Sequence, residues 1–168
     1  MKVRVTVNIS ANGKVLLSDN PHHQLPKGAM DFYLKNVSQV ENLIIGLNTF
    51  ENFKQFPDEI KNYFKDINII ILSDRPFESE GYEVVKSPEE AIKLLERKGV
   101  KEVAIGGGIG TFNAFINKNL VTDIYLNVNP IITGTGGILG TDSDLNSKFK
   151  IMEQEKKEGS LQIHLMQK

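Results

Sequence analysis

Apolar positions along the chain switch between two periods, and the switches predict the elements. From Lys2 to Ile9 the chain alternates: Val3, Val5, Val7 and Ile9 share one face, with Arg4, Thr6 and Asn8 on the other, as in a strand. Ser10-Ala11-Asn12-Gly13 breaks it with turn chemistry. The polar stretch from Ser18 to Lys27, holding His22-His23, reads as a surface loop. Met30, Tyr33, Leu34 and Val37 then take helical spacing, with Asp31 near the helix start. Leu43-Ile44-Ile45 is a fully apolar strand ending at Gly46, and Ile67 to Leu72 is another, ending at Ser73-Asp74-Arg75-Pro76. Ser87-Pro88-Glu89-Glu90 carries an N-cap, a first-turn proline and a capping-box glutamate, so a helix runs from there to about Lys98, where Gly99 ends it. Val103-Ala104-Ile105 is a third apolar strand, followed by glycines and a helix through Phe112, Ala114, Phe115 and Ile116. Asp123 to Asn129 is a further strand, closed by Pro130. Phe149 and Ile151, then Leu161, Ile163 and Leu165, alternate with polar residues around Glu158-Gly159, as in a hairpin.

Apolar strands alternating with helices predict an α/β fold: a mostly parallel central sheet, helices on both faces, and a C-terminal antiparallel hairpin. At 168 residues this is one domain, 1–168, without repeats or an interdomain linker. Composition narrows the partners. Hydrophobic residues make up 40%, charged residues 24%, and the formal net charge is -1, so nothing favours nucleic acid and a small molecule is the expected partner. The chain has no cysteine, which excludes disulfides, thiolate metal sites and a cysteine nucleophile. Met1 to Ser10 lacks a signal peptide's apolar run and no later stretch is long enough to span a bilayer, so the expected location is the cytoplasm.

The sharpest chemical signal is Gly106-Gly107-Gly108-Ile109-Gly110-Thr111, between a strand and a helix. Ligands of open α/β sheets bind at such strand ends, where glycines let backbone amides approach a phosphate and the helix start presents free N–H groups. The spacing is neither the Rossmann G-x-G-x-x-G nor a P-loop, and a tight turn without ligand is the alternative. Gly46-Leu47-Asn48-Thr49 also follows an apolar strand; Thr49 suits a helix cap or a phosphate contact. Ser73-Asp74-Arg75-Pro76 ends a third, as a polar turn or a ligand contact. One extended phosphate-bearing ligand could touch all three. The apolar, glycine-rich segment from Pro130 to Gly140 suits a lid, a packed connection or a subunit contact. Candidate acid-base groups are few. His22-His23 reads as an exposed pair, His164 as surface, and no metal constellation is visible. Lys14 follows the first turn, and Asp31 is a possible general acid that also suits the helix dipole.

These segments together resemble the dihydrofolate-reductase superfamily, and most closely the C-terminal reductase domain of the bifunctional riboflavin-biosynthesis deaminase-reductase. Ser10-Ala11-Asn12-Gly13-Lys14 resembles that branch's S-x-D-G-K, with Asn12 for Asp. Gly46-Leu47-Asn48-Thr49 resembles G-R-x-T, with Leu47 for Arg. Leu72-Ser73-Asp74-Arg75-Pro76 resembles L-S-x-x-P, Gly106-Gly107-Gly108 is the shared triple glycine, and Leu120 to Leu126 through Asn129-Pro130 and Gly134-Thr135-Gly136 resembles the branch's ending. Ile105 stands where the branch usually has glutamate, and Met30 where folate reductases have their acid, with Asp31 one residue later.

The resemblance implies a dihydrofolate-reductase-like domain that uses NADPH to reduce a ribosylaminopyrimidine. Gly106, Gly107, Gly108, Ile109, Gly110 and Thr111 would hold the cofactor's pyrophosphate, assisted by Gly46 and Thr49, with Asn48, Ser73, Asp74 and Arg75 at the adenosine end. Arg75 would meet the ribose 2′-phosphate, which Asp74 would oppose. Asn12, Gly13 and Pro130 would bind substrate, Lys14 and Asp31 would serve catalysis, and the chain would form a homodimer. Dihydrofolate reduction and nucleotide binding without turnover are the alternatives.

Overall fold

The computed structural model describes residues 1–168 apart from Asp19, Pro21 and Glu158, so the expected Ser18–Lys27 loop and the Glu158-Gly159 turn lie partly outside the described residues. Strands β1 (Lys2–Ser10), β2 (Asn42–Gly46), β3 (Asn68–Leu72), β4 (Glu83–Val85), β5 (Glu102–Gly107) and β6 (Asp123–Asn129) pair in parallel. β7 (Phe149–Lys157) and β8 (Ser160–Gln167) close the sheet as an antiparallel hairpin, giving the order β4-β3-β2-β5-β1-β6-β8-β7. The fold is the expected α/β one. β4 was not foreseen; at three residues it is too short to show a period.

Helices cover both faces. α4 (Pro88–Arg97) and α5 (Ile109–Ile116) bury Ala91, Leu95, Phe112 and Phe115 against Val5, Ile44, Ile70 and Ile105. On the other face α1 (Ala29–Val37) and α2 (Leu47–Phe53) bury Leu34, Val37 and Phe50 against Leu43, Ile45, Ile69 and Ile71. A single turn, α3 (Asp58–Lys61), runs into a 3₁₀ turn at Asn62–Phe64 on this side. The α4 signals act as expected. Ser87 Oγ accepts from the Glu90 N–H at 3.2 Å, and the Glu90 carboxylate accepts from the Lys86 N–H at 2.8 Å. Gly99, at φ +73°, then lets its own N–H and that of Val100 reach back to Glu96 and Leu95, a Schellman ending.

Three expectations change. α2 starts directly at Leu47 with Gly46 as its cap, so Thr49 lies inside the helix and caps nothing. His23 is buried: its Nδ1 accepts from the Leu17 N–H at 3.0 Å and its Nε2 lies 3.1 Å from Thr135 Oγ1. His22 is exposed, as expected. His164 is not a simple surface residue, because β8 lies beside β6. Its ring stacks on Tyr125 at 4.3 Å and its Nε2 meets Asp123 Oδ1 at 2.7 Å.

β1 lies between β5 and β6, so its polar face is buried too. Arg4 there pairs with Glu102 and donates to the Asn36 carbonyl of α1 at 3.2 Å. Asn8 donates to the Ala29 carbonyl at 3.1 Å and accepts from Asn127 at 2.8 Å. Among the described residues no helix is long and apolar enough to cross a membrane.

Candidate active site

The chain topology opens a crevice between β2 and β5. The connection leaving β2 runs outward to β3, while the one leaving β5 carries α5 past β1 to β6. Connections that diverge from adjacent strands leave a ligand crevice at their carboxyl ends. Both strands end there in glycine. A Cβ at Gly46 would run into the Thr111 hydroxyl, so Gly46 lets α5 pack close to β2. At Gly106 a Cβ would meet Leu43, Ile45 and the Tyr33 hydroxyl within 2.8–2.9 Å. The pairing of β2 with β5 also shifts register here, with Ile44 opposite Ile105 and Ile45 opposite Gly107. Gly107 takes φ +112°, and the Gly107–Gly108 peptide is cis.

Gly108 caps α5 without any side-chain cap, so the first-turn N–H groups of Ile109, Gly110 and Thr111 have no intrahelical acceptor. They border a groove of about 500 Å³ along the ends of β3, β2 and β5. Gly46, Asn48, Thr49, Ser73, Asp74, Arg75, Gly108, Ile109, Gly110 and Thr111 all line it. The structure thus gathers nearly the whole expected cofactor set from three separate turns. Gly106 and Gly107 face the adjoining cavity instead. Ser73 is buried, and its hydroxyl holds the turn by donating to the Arg75 carbonyl at 2.8 Å. Lys86 also lines the groove's outer end, a contact the sequence reading missed because it belongs to β4's exit. Neither Arg75 nor Lys86 forms an ion pair among the described residues.

At Thr49, Asn52, Gly108 and Leu17 the groove runs into a second space of about 130 Å³ beneath β1 and α1. Its walls include Thr6, Asn8, Met30, Tyr33, Phe56 and Phe112, and Leu16, Leu17 and Leu25 form its roof. Tyr33 donates to the Gly106 carbonyl at 2.6 Å, and burial pushes its phenol pKa up, so the group stays protonated. No charged side chain lines this cavity among the described residues.

The expected substrate and catalytic residues do not converge on it. Asp31 is exposed, one residue past the cavity-lining Met30 and so turned away on α1. Asn12 bridges to Thr133, donating to its carbonyl at 2.9 Å, and it accepts from Ser10 Oγ at 2.7 Å. Gly13 and Pro130 are exposed, and Lys14 lines neither space. Thr6, Asn8 and Tyr33 were missed as site residues, although one signal was present. A parallel strand flanked on both sides is covered on both faces, so a polar face on β1 has to border a polar network or a cavity. No group of three or more His, Asp or Glu residues placed to hold a metal occurs among the described residues.

Known proteins agree with this architecture. A riboflavin biosynthesis protein described as putative, from Shewanella sp. PV-4, superposes with a TM-score of 0.75 at 21% identity, covering 100% of this chain and 99% of that one. A pyrimidine reductase-like protein from Corynebacterium diphtheriae gives 0.74 at 15% identity, over 99% and 92% of the two chains. RibD from Acinetobacter baumannii gives 0.76 at 16% identity, over 99% of this chain and 58% of that longer one. No curated protein matches the sequence. The RibD C-terminal domain family model matches residues 1–163, and the chain belongs to that family, the riboflavin-type reductase branch whose motifs it carries.

Proposed function

We propose that the chain is an NADPH-dependent reductase, acting as a homodimer, that transfers hydride to a ribosylaminopyrimidine-type substrate. The observation that carries this reading is the continuity of the groove with the cavity across Gly108 and Thr49. The groove suits a dinucleotide: glycines without Cβ atoms, helix-start N–H groups without an intrahelical acceptor for a pyrophosphate, and two cations at the outer end, without an ion pair among the described residues, for a 2′-phosphate. The bound cofactor would supply the hydride. The chain's own residues position the ring. Tyr33 fixes the Gly106 carbonyl, β1 and α1 wall the cavity, and Leu16, Leu17 and Leu25 exclude bulk water. Lys14 and Asp31 touch no reacting atom in this reading, and the proton comes from water at the cavity mouth.

Gly110 provides the test. A Cβ there meets nothing within 4 Å, and the residue borders the groove at the start of α5. Gly110→Asp places a carboxylate where the pyrophosphate would lie. It should weaken NADPH binding at least tenfold in a fluorescence titration while the far-ultraviolet circular dichroism stays unchanged. A folded variant with wild-type NADPH affinity would refute the assignment.

A further inference from the structure

Thr133 offers both its N–H and its carbonyl to a single side chain. Asn12 Oδ1 accepts from the Thr133 N–H at 3.3 Å, while Asn12 Nδ2 donates to the Thr133 carbonyl at 2.9 Å. A carboxamide answers both at once; an ionised carboxylate has no proton to donate. Ser10 holds the amide in that orientation. Its buried hydroxyl accepts from the Lys14 N–H at 2.9 Å and so gives its own proton to Asn12 Oδ1, at 2.7 Å. From Thr133 the contacts run on through side chains. The Thr133 and Thr135 hydroxyls lie 3.1 Å apart, and the Thr135 N–H donates to the Thr133 hydroxyl at 3.2 Å. Thr135 Oγ1 lies 3.1 Å from Nε2 of the buried His23, whose Nδ1 accepts from the Leu17 N–H at 3.0 Å. Gly136, at φ +99°, packs on the same ring: a Cβ there would meet His23 Cε1 at 3.1 Å and the Val15 carbonyl at 2.6 Å. Leu17 in turn lines both the groove and the cavity, at their junction.

We propose that Asn12 is a positioning residue: its carboxamide clamps the segment around Thr133 and, through Thr135 and His23, sets Leu17 where the groove meets the cavity. Neither Asn12, Thr135 nor His23 lines either space, so none of them has to touch a ligand to shape the junction. Asn12 and Thr135 are exposed, so their hydrogen bonds can be removed without opening the core. This rests on reading the junction as the place where cofactor and substrate meet.

Asn12→Asp keeps an acceptor for Ser10 and loses the donor to Thr133. Thr135→Val removes the hydroxyl and keeps the shape, and Thr135→Ser keeps the hydroxyl. Amide hydrogen exchange of the ligand-free proteins, followed by NMR, separates the outcomes. The Leu17 amide should exchange at least threefold faster in Asn12→Asp and in Thr135→Val, and at the wild-type rate in Thr135→Ser. The double variant should exchange no faster than the faster single one, because both changes break one route. The Leu16 amide, which donates to the Asn8 carbonyl of β1 at 2.8 Å, should keep its wild-type rate. With NADPH and the ribosylaminopyrimidine, Asn12→Asp and Thr135→Val should raise KM at least threefold and leave kcat and NADPH affinity within twofold. Faster exchange at Leu16 and Leu17 together would mean that the turn has come apart, and would overturn the proposal. So would an unchanged rate at Leu17, an additive double variant, a Thr135→Ser as fast as Thr135→Val, or an unchanged KM beside a loosened Leu17. A wild type that fails to bind NADPH or to turn over, with the Leu17 pattern intact, would instead refute the reductase reading and leave the clamp standing.

Discussion

Gly107 and Gly110 lie in the same turn but do different work. At Gly107 the backbone sits at φ +112° and a Cβ would press on the Phe112 ring at 3.2 Å, so substitution there disturbs the fold as well as any ligand. Gly110 faces open space and reports on the ligand alone. Charge at the other end of the groove is equally separable. Arg75 and Lys86 are exposed and free of ion pairs among the described residues, while Asp74 sits beside them. Arg75→Ala and Lys86→Ala should each weaken NADPH by about 1 kcal/mol, the lower range for solvated charge-assisted contacts, and leave NADH nearly unchanged. Equal losses for both cofactors in competitive titrations would remove the 2′-phosphate from the assignment. Tyr33 carries a pH signature. Burial raises its phenol pKa in the folded state above the ordinary value near 10.0. The folded chain therefore holds a proton that the unfolded chain releases, and stability tied to the neutral phenol is complete below that ordinary value and declines as pH rises above it. Urea melts between neutral and strongly alkaline pH should show Tyr33→Phe less stable by about 1 kcal/mol at pH 7, from the lost Gly106 hydrogen bond. The variant should also lose less stability on the alkaline side; an alkaline limb identical to the wild type's would show that Tyr33 does not titrate with unfolding.

At the scale of elements, the parts legible in the sequence were those with a local cause. The capping box of α4, Gly99 behind it, and the glycine run after β5 each act within a few residues, and each took its expected place. That the three turns share one groove was legible for the same reason, since turns at three strand ends need only a parallel sheet to come together. What escaped depends on strand order. Thr6 and Asn8 become cavity walls only because β1 ends up between β5 and β6, and His164 meets Asp123 only because β8 returns beside β6. His23 is a third case, since its partner Thr135 is 112 positions away in sequence. Its Nδ1 accepts the Leu17 N–H, so the ring proton sits on Nε2, facing Thr135. This ring ties the roof residue Leu17 to the segment around Thr135 and Gly136. His23→Ala should therefore speed hydrogen exchange at the Leu17 amide. It should also raise KM for the cavity substrate more than it changes kcat, with NADPH affinity within about twofold because the groove floor is untouched. Unchanged protection at Leu17 would show that the roof is held by something else.

At the scale of the molecule, one edge of the sheet differs from the other. β4 ends the parallel side after three residues, which is too short to recruit another strand. β7 runs for nine residues, pairs only with β8, and is exposed along all but its first residue. Ile151 and Met152 on it are 62% and 45% exposed, and Leu161 on β8 is 39% exposed. Single exposed apolar side chains are ordinary, but several on one hairpin beside an unpaired strand edge mark a contact surface. The register shift between Ile151 and Glu153 and the charges of Lys150, Glu153, Glu155, Lys156 and Lys157 oppose open-ended strand addition, so a closed pair is favoured over a fibre. The loop from Pro130 to Gly140 also exposes Ile132 and Ile138, at 76% and 48%, and competes for the same role. Unlike that loop, β7 offers an unpaired backbone edge, so the proposed dimer contact is assigned to the hairpin. The wild type should therefore sediment as a dimer at micromolar concentration. Ile151→Asp should shift it to monomer, since a buried side chain of that size contributes up to about 1.5–3 kcal/mol per copy and the introduced charge adds a desolvation cost. Ile132→Asp should remain dimeric. Dissociation by Ile132→Asp alone would move the interface to the loop, and a strictly monomeric wild type would end the dimer proposal without touching the proposed cofactor site.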